Sequence, residues 1–131
     1  MKSVLVAAAL AATPALAASP ADLLSGYEAA ARKANASAAP SAARGEQFFN
    51  TPHGAEWSCA SCHGAPPAAA GKHAKTGKAI APLAPAANPE RFTDAAKVDK
   101  WFRRNCNDVL ARECTAAEKA DVLAYLLKLR P

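Results

Sequence analysis

Apolar residues recur along this chain at helical spacing, and nowhere with the alternation of a strand. Leu23, Leu24 and Tyr27 follow Ser19-Pro20, an N-cap and a proline at the first helical position, and predict a short helix. Residues 34–43 are almost all Ala, Ser, Asn and Pro, a composition that predicts a pliable connector. A second helix is expected from about Ser41 to Phe49, bringing Phe48 and Phe49 to the core. Val98, Trp101 and Phe102, spaced i, i+3, i+4, predict a third from Asp94 to about Cys106. The last opens on the capping box Thr115-Ala-Ala-Glu118 and carries Val122, Leu123, Leu126, Leu127 and Leu129. The expected class is all-α, without strands or internal repeats. Between the second and third helices, Thr51 to Pro89 is irregular and rich in proline. So long a loop in so small a domain must be organised by something other than secondary structure.

The 131 residues suit one domain. Residues 1–18 read as a signal peptide: Met1-Lys2 is a positive start, Val4 to Leu10 an apolar middle, and Ala15-Leu16-Ala17 a small-residue cleavage site. Pro14 interrupts the run well before the about 20 apolar residues that a membrane span needs. The mature domain is then 19–131, exported to the periplasm, expected as a monomer without stable membrane insertion. The formal net charge is +5. It is spread over single residues and pairs such as Arg103-Arg104, with no dense basic tract interleaved with aromatics, which sets nucleic acid aside as a partner. Some of the surplus could face an acidic redox partner.

Candidate chemistry begins at Cys59-Ala-Ser-Cys62-His63, two of the four cysteines with a histidine directly behind them. This is the spacing of covalent haem c attachment. Two thiols three residues apart reach neighbouring vinyl groups on one porphyrin edge, and the turn between them swings His63 under the ring to the iron. A thioredoxin-like redox pair would want an adjacent βαβ pattern. A zinc site would want a second pair at matching spacing, and Cys106 and Cys114 are eight apart.

The second axial position of the iron is open. Methionine is the common choice in electron-transfer cytochromes, but the one methionine here is Met1, inside the expected signal peptide. His53, His73, a lysine, the Cys106 thiolate, Asn105 or water remain. His53 lies close to the attachment turn, and His73 sits in a Gly- and Lys-rich loop, so both suit the surface better. Asn105 continues the series 98, 101, 102, 105 along one helix face. A polar amide there needs a partner: backbone carbonyls at a helix end, or iron.

Several stretches carry a resemblance: Gly77-Lys78-Ala79-Ile80-Ala81-Pro82-Leu83-Ala84-Pro85, Asn88 to Asp94, Lys100-Trp101, and Arg104-Asn105-Cys106-Asn107. Together with Leu23 to Tyr27 and Cys114-Thr115, they strongly resemble the sphaeroides haem protein family, oxygen-binding monohaem c-type cytochromes. The resemblance implies a class I cytochrome c-like fold around one covalent haem c, with asparagine, here Asn105, as sixth ligand. It implies that Cys106 pairs with Cys114, that the asparagine leaves the iron on reduction, and that a small diatomic ligand (O2, NO or CO) then binds. It also implies a dihaem c-type cytochrome as electron donor. Residues 65–75 match less closely. The chemistry of the residues agrees: an amide oxygen is a hard, neutral donor, better suited to ferric than to ferrous iron, and once free its NH2 can donate a hydrogen bond. A bridge closing the nine-residue loop from Cys106 would restrain the swing of that ligand.

Two further contacts with the haem are expected. Trp101 and Phe102, one turn before Asn105, would line its distal face, and the run from Ile80 through Pro82 and Leu83 to Pro89 would form a wall of its pocket. The rival readings are a plain periplasmic electron carrier with a histidine or lysine sixth ligand, and a Cys106-ligated enzyme of sulfur chemistry. No acid or histidine is apparent over the iron for a reductase or peroxidase, so the protein is expected not to be an enzyme.

Overall fold

The computed structural model describes residues 17–131, so the expected signal peptide lies almost wholly outside the described residues. In order come α1 (Pro20–Ala34), α2 (Ala42–Asn50), α3 (Ala60–His63), β1 (Gly71–Lys72), β2 (Ala79–Ile80), α4 (Ala95–Leu110) and α5 (Ala116–Lys128). Each long helix begins where its capping residue dictates. Ser19 Oγ accepts the Asp22 N–H at 3.1 Å while the Asp22 carboxylate accepts the Ser19 N–H at 3.1 Å. Thr115 and Glu118 do the same at α5, at 3.2 and 2.8 Å. Ser41 and Asp94 cap α2 and α4.

The core lies where α2 and α1 pack on α5. Gly45 lets α2 approach α5: a Cβ there would overlap the Asp121 carbonyl. Phe49, Leu123 and Leu126 are at most 1% exposed, packed with Phe92, Val98, Val122 and Tyr125. Burying one such side chain is worth about 1.5–3 kcal/mol. Asp121 is buried at the edge of this contact. It accepts the Ser41 N–H at 2.6 Å and the Arg44 guanidinium at 2.8 and 2.9 Å, and Arg44 in turn reaches the Ala39 carbonyl at 2.6 Å. The end of the connector expected to be pliable is therefore fixed to α5.

The fourth helix differs from expectation. It continues to Leu110, four residues past Cys106, because Val109 extends the buried stripe formed by Val98 and Cys106. It ends at Ala111 in the left-handed region, φ 56°. Trp101 leaves the stripe: it is 44% exposed, with the Arg104 guanidinium 5.1 Å above its ring. Phe102 turns instead to Tyr27 on α1, edge to face at 5.8 Å. The Tyr27 hydroxyl donates to Asp99 at 2.8 Å, and Lys119 of α5 reaches the same carboxylate at 3.5 Å. Side chains thus join α4 to its neighbours, along with a disulfide between Cys106 and Cys114.

A two-stranded antiparallel hairpin was not expected. Gly71 pairs with Ile80 and Lys72 with Ala79, strands too short to leave any alternation in the sequence. Among the described residues, no helix is long and apolar enough to cross a membrane.

Candidate functional site

The cysteine–histidine motif forms a single helical turn. The N–H groups of Cys62 and His63 both donate to the Cys59 carbonyl, at 3.2 and 3.0 Å, which sets the two sulfurs one turn apart with the imidazole beside them. Ser61, inside the motif, accepts the Ser58 N–H at 3.0 Å and closes the entry. Gly64, at φ 81°, ends the turn in a conformation that favours glycine. Gly71 of β1 presses against the other side, where a Cβ would overlap the Cys62 carbonyl. Beyond it, the Ala74 N–H donates to Cys62 Sγ at 3.3 Å.

Both thiols are free. Burial pushes the Cys59 thiol up to about 11. Burial, with the Arg91 guanidinium adding to it, pushes His63 down to about 4, so its ring is neutral at pH 7. The ring lies 6.2 Å from that of Phe49, which anchors it to the core. Its Nδ1 is buried with no hydrogen-bond partner among the described residues. A ring buried in that state costs about 1–3 kcal/mol, and packing alone does not call for it. Two free thiols and one neutral imidazole on one turn suit a porphyrin, which brings four nitrogens of its own. A bare ion would need more: no group of three or more metal-ligating side chains is gathered among the described residues.

The proline-rich segment is pinned from two directions. The N–H groups of Leu83 and Ala84 both donate to the Pro67 carbonyl at 3.0 Å. From the other side Arg91 donates to the carbonyls of Pro82 and Ala81 at 3.0 and 2.8 Å, and Asn88 to Pro82 at 3.3 Å. Ile80 and Pro82 are half-buried, and Leu83 packs against the core. Sequence reasoning missed Pro67 and Arg91. The Pro66-Pro67 pair offered a signal for the first; a lone arginine beside Phe92 offered none for the second.

Asn105 is half-buried on α4. Asn35, Asn50, Asn88 and Asn107 all hydrogen-bond through their side chains. The Asn105 amide has no such partner among the described residues. Asn107 is exposed and donates to the Arg103 carbonyl at 2.9 Å. His53 stacks on Phe48 with ring centroids 4.3 Å apart, and its Nε2–H donates to the Phe48 carbonyl at 2.8 Å. It lines a groove of about 290 Å³ with Arg44, Phe48 and Asp121, and no residue of the attachment turn lines it. His73 Nδ1 accepts the N–H groups of Lys75 and Thr76, both at 3.2 Å, closing the hairpin.

The family described as "Domain of unknown function (DUF1924)" matches residues 35–126. The cytochrome c-type protein SHP of Cereibacter sphaeroides is 51% identical over 132 residues, covering 96% of this chain and 98% of that protein. The structure described as oxidised SHP, an oxygen-binding cytochrome c, matches with a TM-score of 0.75 at 51% identity, over 84% of this chain and 96% of that one. A solution structure of Methylophilus methylotrophus cytochrome c'', described as giving insights into the structural basis of haem-ligand detachment, matches with a TM-score of 0.74 at 45% identity. It covers 86% of this chain and 94% of that one.

Proposed function

This chain belongs to the sphaeroides haem protein family and carries one covalently bound haem c, and from that premise we propose that Cys59 and Cys62 hold the haem as thioethers with His63 on its iron. With the haem bound, Asn105 would supply its amide oxygen as the second protein ligand of the ferric iron. On reduction that amide would leave, and a small diatomic molecule (O2, NO or CO) would bind in its place, coupled to electron transfer.

The observation that carries this reading is the Asn105 amide, half-buried on α4 without a partner among the described residues, in a chain whose one methionine is Met1. The relatives support it: one is described as oxygen-binding, another as an example of haem-ligand detachment. When bound, the haem iron supplies a one-electron couple and a coordination position for a diatomic molecule. The chain's own residues do the rest. His63, neutral and anchored by Phe49, keeps its lone pair free for a metal. Released Asn105 turns from acceptor to donor, offering its N–H to the incoming molecule. Leu83 and Ile80, fixed through Pro67 and Arg91, cover the ring edge and exclude water, while Trp101 and Phe102 flank Asn105 one turn earlier. The protein works in the periplasm after loss of residues 1–18, receiving electrons from a dihaem c-type cytochrome.

Absorption spectra of the purified holoprotein, oxidised and reduced, with and without CO, test the proposal. A reduced spectrum that shifts on adding CO supports an opened site. Low-spin spectra in both states, with no CO shift, would reassign the sixth ligand to His73 or a lysine and make the protein a plain electron carrier.

A further inference from the structure

The hairpin between the attachment turn and the proline-rich segment carries Lys72, Lys75 and Lys78, all exposed. Between Glu56 and Glu90 the sequence has no acidic residue. The ion pairs among the described residues use Arg32, Arg44, Arg103, Arg112 and Lys119, and none of these three lysines. The hairpin is also held rigidly. The β1–β2 pairing, the Gly77 N–H on the His73 carbonyl at 2.9 Å and the two N–H groups on His73 Nδ1 fix its tip. The Ala74 N–H on Cys62 Sγ, with Gly71 against the Cys62 carbonyl, fixes that tip to the attachment turn.

We propose that this hairpin is the docking surface for an acidic redox protein, and that electrons enter the haem beside Cys62. The inference rests on the haem reading of Cys59, Cys62 and His63 and adds where the partner sits. Three cations on a preorganised loop, with no carboxylate in ion-pair contact among the described residues, make a local positive field. Such fields raise encounter rates with oppositely charged partners by 10-fold or more at low salt. The placement gives the field its use: a partner seated on Lys72, Lys75 and Lys78 lies against the sulfur that holds one edge of the haem. In the step itself the partner loses one electron and the haem gains it; no covalent bond forms or breaks, and the Asn105 amide would leave the reduced iron as a separate change of ligand.

The test is stopped-flow reduction of the ferric holoprotein by two probes, a reduced acidic flavodoxin and the small reductant reduced lumiflavin. It compares the parent with K72Q/K75Q/K78Q and with the α4 control K97Q/K100Q/R103Q. Roughly tenfold slower reduction of the hairpin variant by flavodoxin at low salt is expected, with a flatter salt dependence, an unchanged lumiflavin rate and little effect in the control. Equal flavodoxin rates for parent and hairpin variant, or an equal loss in the control, would overturn the surface. Loss of binding to phosphatidylglycerol vesicles in the hairpin variant, with the flavodoxin rate unchanged, would give the lysines to a lipid headgroup and overturn it too. A parent that takes no electron even from lumiflavin would instead refute the haem reading, a separate and recognisable failure.

Discussion

Cys106, bonded to Cys114, directly follows Asn105, so the turn of α4 that presents the amide is tied to the start of α5. The bridge closes a short loop, worth about 2–3 kcal/mol in the chain-entropy account. The double variant Cys106→Ser/Cys114→Ser is expected to lose about that much in denaturant unfolding of the holoprotein. Unaltered stability would leave the bridge no structural role.

Replacing Asn105 bears on the gate directly. Asn105→Ala should leave covalent haem content unchanged, because the attachment turn is elsewhere. The ferric protein should bind cyanide at least roughly tenfold faster, since each 1.4 kcal/mol of ligand competition removed is a factor of ten. Equal cyanide rates for parent and variant would show that the amide does not occupy the ferric position.

Gly71→Ala places a methyl group into the Cys62 carbonyl. The backbone of β1 must move away from α3, at a cost of about 1–3 kcal/mol. Lower stability by denaturation and a smaller fraction of chains carrying haem are expected together. A variant as stable and as fully loaded as the parent would mean that β1 does not support the turn.

Glu118 gives a pH dependence with a defined sign. Its carboxylate is held below its ordinary value of 4.5, first by the Arg112 guanidinium at 2.7 and 2.9 Å and also by the capped Thr115 N–H. A folded-state value lower than the unfolded one stabilises the protein above pH about 4.5, and that stability is lost as pH falls through the folded value. The stability gap between parent and Glu118→Gln should therefore be full at neutral pH and close under acid. A gap independent of pH would contradict the pairing.

Local chemistry was the most legible part of the sequence. Ser19 with Asp22 and Thr115 with Glu118 mark helix starts because a cap is a contact between residues three apart, written entirely in neighbouring letters. The all-α class and the single turn at Cys59–His63 were legible for the same reason. Trp101 was not: spacing groups it with Val98 and Phe102, but the buried positions run through Val98, Cys106 and Val109, Phe102 packs on Tyr27, and the indole instead meets the Arg104 guanidinium. The hairpin and the hold of Arg91 and Pro67 on residues 81–84 depend on backbone partners seven or more residues away, which no periodicity records. Asn105 shows both limits. Its helix face could be read from spacing, whereas the lack of a protein partner emerged only once its neighbours were in place.

The four cysteines also bear on how the protein matures. Under oxidising conditions four thiols can pair in more than one way, and a wrong bridge would consume a sulfur that the vinyl groups require. Burial sorts them. Cys106 and Cys114 are joined and enclosed, 4% and 9% exposed. The Cys59 thiol, pushed up to about 11, stays protonated at neutral pH, and a protonated thiol does not attack a disulfide. The joined pair and Cys59 are thus both held back from exchange, and the fold itself narrows which sulfurs can meet.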